Sequence, residues 1–254
     1  MPRLAILGLA ILALMTHESL AADIQVYSSG APAQVAQRLA SKFFDTSGHR
    51  VVLTSATIAE MQRKLAAGDK PDAIILPAPT IEALDKAGSL LAGSRMDLAR
   101  VGVGVAVRAG TRLPDISTPD AVRKLLVDAR SIVQPDPVGG GFAGAQIAAM
   151  IARLGIADVV TPKASYKFAI GGGTAAVAKG DAEIGLFNIS EILIDKGVTL
   201  VGPLPPSLQS YIVFAGAVHV ASAAPEAARA FLRSLAAPEA REAWTSGGLE
   251  PLGL

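Results

Sequence analysis

Two serines, a glycine, an alanine and a proline stand in a row at Ser28-Ser29-Gly30-Ala31-Pro32, directly after the strand-like run Ile24-Gln25-Val26-Tyr27. Ser29 or Gly30 suits a helix N-cap and Pro32 suits the first turn, so hydroxyls and unbonded backbone N–H groups gather at one helix end. Such an end holds an anion without any charged side chain. Four further stretches repeat the theme. Thr54-Ser55-Ala56-Thr57 closes a strand and caps a helix, with Glu60 completing a capping-box pattern. Asp136-Pro137-Val138-Gly139-Gly140-Gly141-Phe142-Ala143-Gly144 leads from a strand into an apolar helix, Gly171-Gly172-Gly173-Thr174 into a short one, and Phe187-Asn188-Ile189-Ser190-Glu191 leaves a strand and caps another. All five are strand-to-helix junctions, which in open parallel sheets share the carboxyl edge where ligands bind. None carries Lys or Arg, so an anion held there meets backbone N–H groups, hydroxyls, one amide and helix dipoles.

Other chemistries find little support. Gly139 to Gly144 satisfies G-x-G-x-x-G literally, but Pro135 and Pro137 interrupt the approach from the strand, and Asp158 falls beside a helix end instead of closing the next strand. No Gly-Lys-Ser or Gly-Lys-Thr offers a P-loop, and no G-x-S-x-G a nucleophile elbow. The absence of cysteine excludes disulfides, thiolate metal sites and cysteine nucleophiles. His49 lies in a Gly48-His49-Arg50 turn and is expected in solvent, while His219 sits in an apolar run and is expected to pack; nothing joins them in a metal site or triad. Asp69, Asp72, Asp181 and Glu183 flank turns and strand starts, where solvated caps are the default, and Tyr27, Tyr166 and Tyr211 read as packing residues of strands. No catalytic residue, metal ligand or cofactor is assigned.

The elements that must position the junctions follow from hydropathy. Strand-like runs at 24–27, 50–54, 72–76, 100–107, 131–134, 165–169, 183–187, 198–201 and 210–220 alternate with helical segments at 32–44, 57–67, 79–87, 119–129, 142–154, 174–179 and 189–196. Two helices, 224–236 and 238–246, end the chain. This is an α/β architecture of mixed, mostly parallel sheets with helices on both faces. The long apolar strands around Val101 to Val107 and Tyr211 to Val218 serve as crossovers between two lobes, one of residues 23–103 and 207–254 and one of 104–206. Lys and Arg total 23 against 22 for Asp and Glu, a net charge of +1, so no strong field draws nucleic acid or an anionic membrane. Residues 1–22 read as a secretory signal: Arg3, an apolar run from Leu4 to Met15, and Ser19-Leu20-Ala21 before cleavage near Ala21 or Ala22. A periplasmic or secreted location follows.

With these pieces in place, the mature chain resembles the type II periplasmic substrate-binding proteins of ABC importers, and among them the molybdate-binding-protein-like branch. The segments that carry the resemblance are Ile24 to Ala31, Leu65-Ala-Ala-Gly-Asp-Lys-Pro-Asp-Ala-Ile-Ile75, Val101 to Val107, Asp136-Pro137, Gly180-Asp-Ala-Glu-Ile-Gly-Leu186 and the ending Ala230 to Leu252. The resemblance implies a two-lobed fold with a hinge of two crossover strands, and a small anionic ligand held in the inter-lobe cleft by hydroxyls and amides. It also implies a monomer that serves an ABC permease in the inner membrane. The implied ligand-binding residues are Ser28, Ser29, Gly30 and Ala31; Thr57 and Ala59; Gly141, Phe142 and Ala143; Gly172; and Asn188. The molybdate-binding pattern has Ala-Ala-Ser where this chain has Ser29-Gly30-Ala31, and Tyr where it has Asn188, which leaves the anion open between molybdate, another oxyanion and a carboxylate. Aconitate isomerase is similar to the same branch and implies a second class, proton-transfer isomerisation of a tricarboxylate. That reaction calls for cationic forks and a base. Arg63, Lys64, Lys163 and Lys167 are the candidate cations for such a fork.

Overall fold

The computed structural model describes residues 21–139 and 141–253, so the signal segment as far as residue 20, and Gly140 of the glycine run, lie outside the described residues. The chain opens with β1 (Asp23–Ser28), α1 (Gly30–Ser47), β2 (Arg50–Ser55), α2 (Ile58–Ala66), β3 (Ala73–Pro77) and α3 (Ala78–Lys86). On β1, Ile24, Val26 and Ser28 share the buried face, as a period of two requires. α1 buries Val35, Ala36, Ala40 and Phe43 on one stripe and stops at Gly48, whose φ of 73° lies in the left-handed region. β3 is buried along its whole length, because it has a neighbour on each side and helices above and below.

The second part contains β4 (Met96–Arg108), α4 (Pro119–Asp128), β5 (Ile132–Gln134), α5 (Gly141–Arg153), α6 (Ala157–Val160), β6 (Ala164–Tyr166), α7 (Thr174–Lys179), β7 (Ile184–Asn188), α8 (Ile189–Ile192) and β8 (Val198–Pro203). The chain then returns through β9 (Tyr211–Val218), α9 (Pro225–Leu235), α10 (Arg241–Ser246) and β10 (Glu250–Pro251). The strand expected at 165–169 ends at Tyr166, and residues Ala169–Gly173 form a π-helical turn running into α7. The helix expected at 189–196 stops at Ile192.

The strands form one continuous mixed sheet in the order β2-β1-β3-β9-β4-β7-β5-β6. The outer strands of each half are parallel, and the antiparallel pairings gather on β4 and β9. β4 is the outward crossing: residues 96–102 pair with β9, and 103–108 pair with β7 and β8. The return runs through 204–210 into β9. There the Gln209 side chain accepts from the Val103 N–H and donates to the Val103 carbonyl, both at 2.9 Å, and so ties the returning chain to the point where β4 changes partners.

Each half has its own core. α9 presents Ala227, Ala228, Phe231, Leu232 and Leu235 to the first, which also holds Trp244, whose Nε1–H donates to the Leu235 carbonyl at 2.8 Å. Val103, Val105, Val122, Leu126, Ile147 and Leu186 anchor the second. The two halves touch beside the cleft, where Ala143 and Ile189 pack against the first core.

Three polar residues depart from the sequence expectation. His49 is buried at 6% exposure against Phe43, with Nδ1 accepting from the Ala22 N–H, whereas His219 is half-exposed, because the strand it was assigned to ends at Val218. Asp72 is no solvated cap. It is buried, Oδ1 accepting from Ser222 Oγ–H at 2.6 Å and from the N–H groups of Ala223 and Ala224, and Oδ2 from the Gln25 N–H at 2.8 Å.

Candidate functional site

The carboxyl ends of β1, β2, β3, β5 and β7 face a common cleft of about 470 Å³ between the halves. Ser29, Gly30 and Ala31 form its first wall, with Ser55, Ala56, Thr57 and Ile58 beside them and Pro77 at the end of β3. Pro135, Gly141, Phe142 and Ala143 face them from the second half, joined by Phe168, Asn188 and Glu191. Ile212 and Phe214 of β9 also line the cleft.

The local sequence accounts for this geometry. Ser29 adopts the extended backbone of an N-cap but makes no side-chain cap bond, so the first N–H groups of α1 and the Ser29 hydroxyl stay open toward the cleft. Thr57 Oγ1 accepts from the Glu60 N–H at 3.2 Å, the N-cap half of a capping box. In the third loop the Val138 N–H donates to Asp136 Oδ1 at 2.8 Å, a turn that folds the loop back onto α5. Gly144 is what permits the contact, because a Cβ there would stand 2.0 Å from the Asp136 carbonyl oxygen. The last glycine of the G-x-G-x-x-G match therefore serves loop-to-helix packing.

Of the residues inferred from sequence, Ser29, Gly30, Ala31, Thr57, Gly141, Phe142, Ala143 and Asn188 come together in the cleft wall. Three do not. Ser28 lies on the buried face of β1 at 0% exposure, beneath the wall, and its Oγ has no hydrogen-bond partner. Ala59 is exposed on the first turn of α2 while its neighbours Ile58 and Glu60 line the cleft. Gly172 is drawn into the π-helical turn, so that Phe168, where the chain enters that turn, occupies the wall instead.

Among the described residues no Lys or Arg lines the cleft. Lys64 pairs with Asp69, and Lys163 donates to the carbonyls of Val127 and Ala129. Tyr27 donates to Asp69, which pushes its hydroxyl up to about 12. Tyr211 lies under the Arg100 guanidinium, 3.9 Å from its ring centre.

Two carboxyl groups face the cleft, Glu60 and Glu191. Burial pushes Glu191 up to about 6, offset in part by hydrogen bonding from the backbone and side chain of Asn188. Glu191 is not among the residues assigned to the site from sequence, although a signal for it is present. Its spacing from Asn188 equals that of Glu60 from Thr57, and three residues beyond an N-cap a glutamate turns back toward the helix start and whatever that start faces. The Asn188 side chain makes no cap bond, and its buried Oδ1 has no hydrogen-bond partner.

A two-lobed α/β sheet that crosses over at β4 and meets a cleft at its strand ends is the periplasmic-binding-protein fold. The chain belongs to the bacterial extracellular solute-binding protein family, whose model matches residues 24–250. It is 30% identical over 260 residues, 99% of this chain and 98% of the relative, to an aconitate isomerase from Pseudomonas sp. It is 28% identical over 182 residues to the molybdate-binding protein ModA of Azotobacter vinelandii, covering 70% of this chain and 69% of that protein. Its fold matches a substrate-binding domain from Clostridium difficile with a TM-score of 0.79 at 15% identity, over 91% of this chain and 99% of the other.

Proposed function

We propose that this chain is an extracytoplasmic binding protein, periplasmic or secreted, that captures a small anion between its lobes and hands it to an ABC permease in the inner membrane, acting as a monomer without a cofactor. The observation that carries this reading is the meeting of three helix starts, those of α1 and α2 from one half and α5 from the other, on a cleft with no lining cation among the described residues. Helix N–H groups and dipoles then supply the attraction. The lobes are residues 23–103 with 207–254, and 104–206. The change of β4 partners between Gly102 and Val103 supports that division. A ligand touching both lobes binds the closed arrangement better than the open one and shifts the population toward it, with β4 and 204–210 as the hinge. Calorimetry with molybdate, tungstate, sulfate, phosphate and small carboxylates tests this. Folded protein that binds none of them refutes it.

A second reading is favoured by Glu191 together with the full-length likeness to an aconitate isomerase. A carboxylate of raised proton affinity in a cleft suits general-base work. Glu191 would take a proton from the carbon next to a C=C bond, the double bond would shift, and the same carboxyl would return the proton to the far carbon. Absorbance change of trans-aconitate under substoichiometric protein decides between the readings. Turnover lost in Glu191→Gln supports the enzyme, and stoichiometric binding without turnover rejects it.

A further inference from the structure

We propose that the ligand of this cleft is a small organic acid that brings its own hydrogen-bond donor, a hydroxyl or a retained carboxyl proton, and that Asn188 and Glu191 select for that donor. This rests on the anion-capture reading above and names the class of ligand within it.

The two walls differ chemically. The first-lobe wall offers donors: the open N–H groups at the start of α1 and the hydroxyls of Ser29, Ser55 and Thr57. They suit an oxyanion or a carboxylate. The second-lobe wall offers acceptors. Asn188 Oδ1 is buried without a partner, and the same residue favours the ionised form of Glu191 by hydrogen bonding. An acceptor desolvated and left unpaired is costly, and a ligand donor removes that cost. Glu191 is a second acceptor when ionised, and it repels any ligand that meets it with a bare negative oxygen. Molybdate and sulfate carry no proton at neutral pH and supply neither acceptor with a partner.

The apolar lining points the same way. Phe142 and Phe168 line the cleft from the second lobe at 37% and 58% exposure, and Ile212 and Phe214 line it from the first. Such surface suits a carbon skeleton, not a bare oxyanion that keeps its water.

Among the described residues no Lys or Arg lines the cleft beside Glu191. α8 packs on β4, β7, β8 and the π-helical turn, and the last three contain no charged residue. On β4, Asp97 pairs with Arg95, Arg100 pairs with Glu250, and Arg108 lies in a separate hollow beside Gly180. Arg38 of α1 approaches α8 on the Ser190 side and donates to the Ala243 carbonyl and Ser246 Oγ. Glu60, across the cleft, is the remaining lining group that titrates.

Titration calorimetry on the mature protein with two matched pairs, malate against succinate and citrate against tricarballylate, together with molybdate and sulfate, tests the inference at pH 7.5 and 5.5. With a hydroxyl as donor, the hydroxy acid of at least one pair binds tenfold or more tightly than its partner at pH 7.5, where Glu191 is ionised. With a carboxyl proton as donor, the unhydroxylated acids gain fivefold or more between pH 7.5 and 5.5. Asn188→Leu, checked for folding by circular dichroism, is expected to cut the hydroxyl ratio to below about threefold, and Glu191→Gln, which keeps an accepting oxygen but cannot ionise, to cut the pH-linked gain to below about threefold. Molybdate or sulfate binding as tightly as the best organic acid overturns the inference and leaves anion capture standing, as do ratios unmoved in both variants. Silence across all six ligands brings down anion capture itself, and this inference with it.

Discussion

Glu191→Gln gives the sharpest test of how the cleft is built, because its effect can be worked from the folded protein alone. The Glu191 carboxyl holds its proton up to about pH 6, against an ordinary 4.5, because burial penalises the charged form more than the Asn188 hydrogen bonds favour it. The folded state thus binds the proton more tightly than the unfolded chain does. The stability tied to this proton is complete below about pH 4.5 and is lost as pH rises through 6, with a magnitude of about 2 kcal/mol. Glutamine keeps the shape and an accepting oxygen but has nothing to ionise. In ligand-free protein the variant is therefore expected to match its parent near pH 4.5 and to exceed it by up to about 2 kcal/mol at pH 7.5, which is about 5 °C in Tm for a chain of this size. Chemical unfolding followed through the fluorescence of Trp244, fully buried and the single tryptophan of the chain, reports the difference at each pH. The carboxylates shared by both proteins cancel in that difference. A gap that stays constant with pH, or a variant less stable at pH 7.5 than at 4.5 relative to its parent, refutes the argument.

Three other outcomes are expected. Ser29→Ala removes a hydroxyl from the cleft wall without touching a cap bond, so anion affinity measured by calorimetry falls by about 1 kcal/mol while stability holds; unchanged affinity makes the serine a spacer. Gly144→Ala forces the Asp136 loop off α5, since the new Cβ would meet the Asp136 carbonyl oxygen at 2.0 Å; a loss of about 2 kcal/mol or more in denaturant unfolding is expected, together with weaker ligand binding. A stability within 0.5 kcal/mol of the parent, roughly the span of neutral substitutions, would show that the loop yields freely. Asp72→Asn keeps one acceptor for Ser222, Ala223 and Ala224 but turns an N–H toward the Gln25 N–H, and is expected to cost about 2–4 kcal/mol, read from the urea midpoint.

Much of the fold was legible because period and punctuation coincide. The alternation of Ile24 and Val26, the apolar block Ala73 to Leu76 and the stripe Ala227, Phe231 and Leu235 each carry their own geometry. The stretch from Tyr166 to Thr174 was less legible. Three glycines read as a loop between a strand and a helix, yet the chain is already helical there, because backbone freedom permits a π turn as readily as a loop. His49 and Asp72 went astray for another reason. Each lies beside a turn in sequence, and whether a turn faces solvent depends on what later packs over it, here Ala22 and Phe43 for the one and residues 222–224 for the other.

The sequence by itself determined the α/β alternation, the uncharged strand-to-helix junctions and the absence of cysteine chemistry, since these follow from residue type and near-neighbour spacing. The tertiary structure alone decided which face of each junction meets the cleft. It set Ser28 beneath the wall and Ser29 in it, brought Phe168 forward in place of Gly172, and carried Glu191 from a helix cap into a half-buried position in the cleft, opposite hydroxyls more than 130 residues away. Proton affinity and hydrogen-bond demand depend on such desolvation, and desolvation arises only when distant segments close over one another.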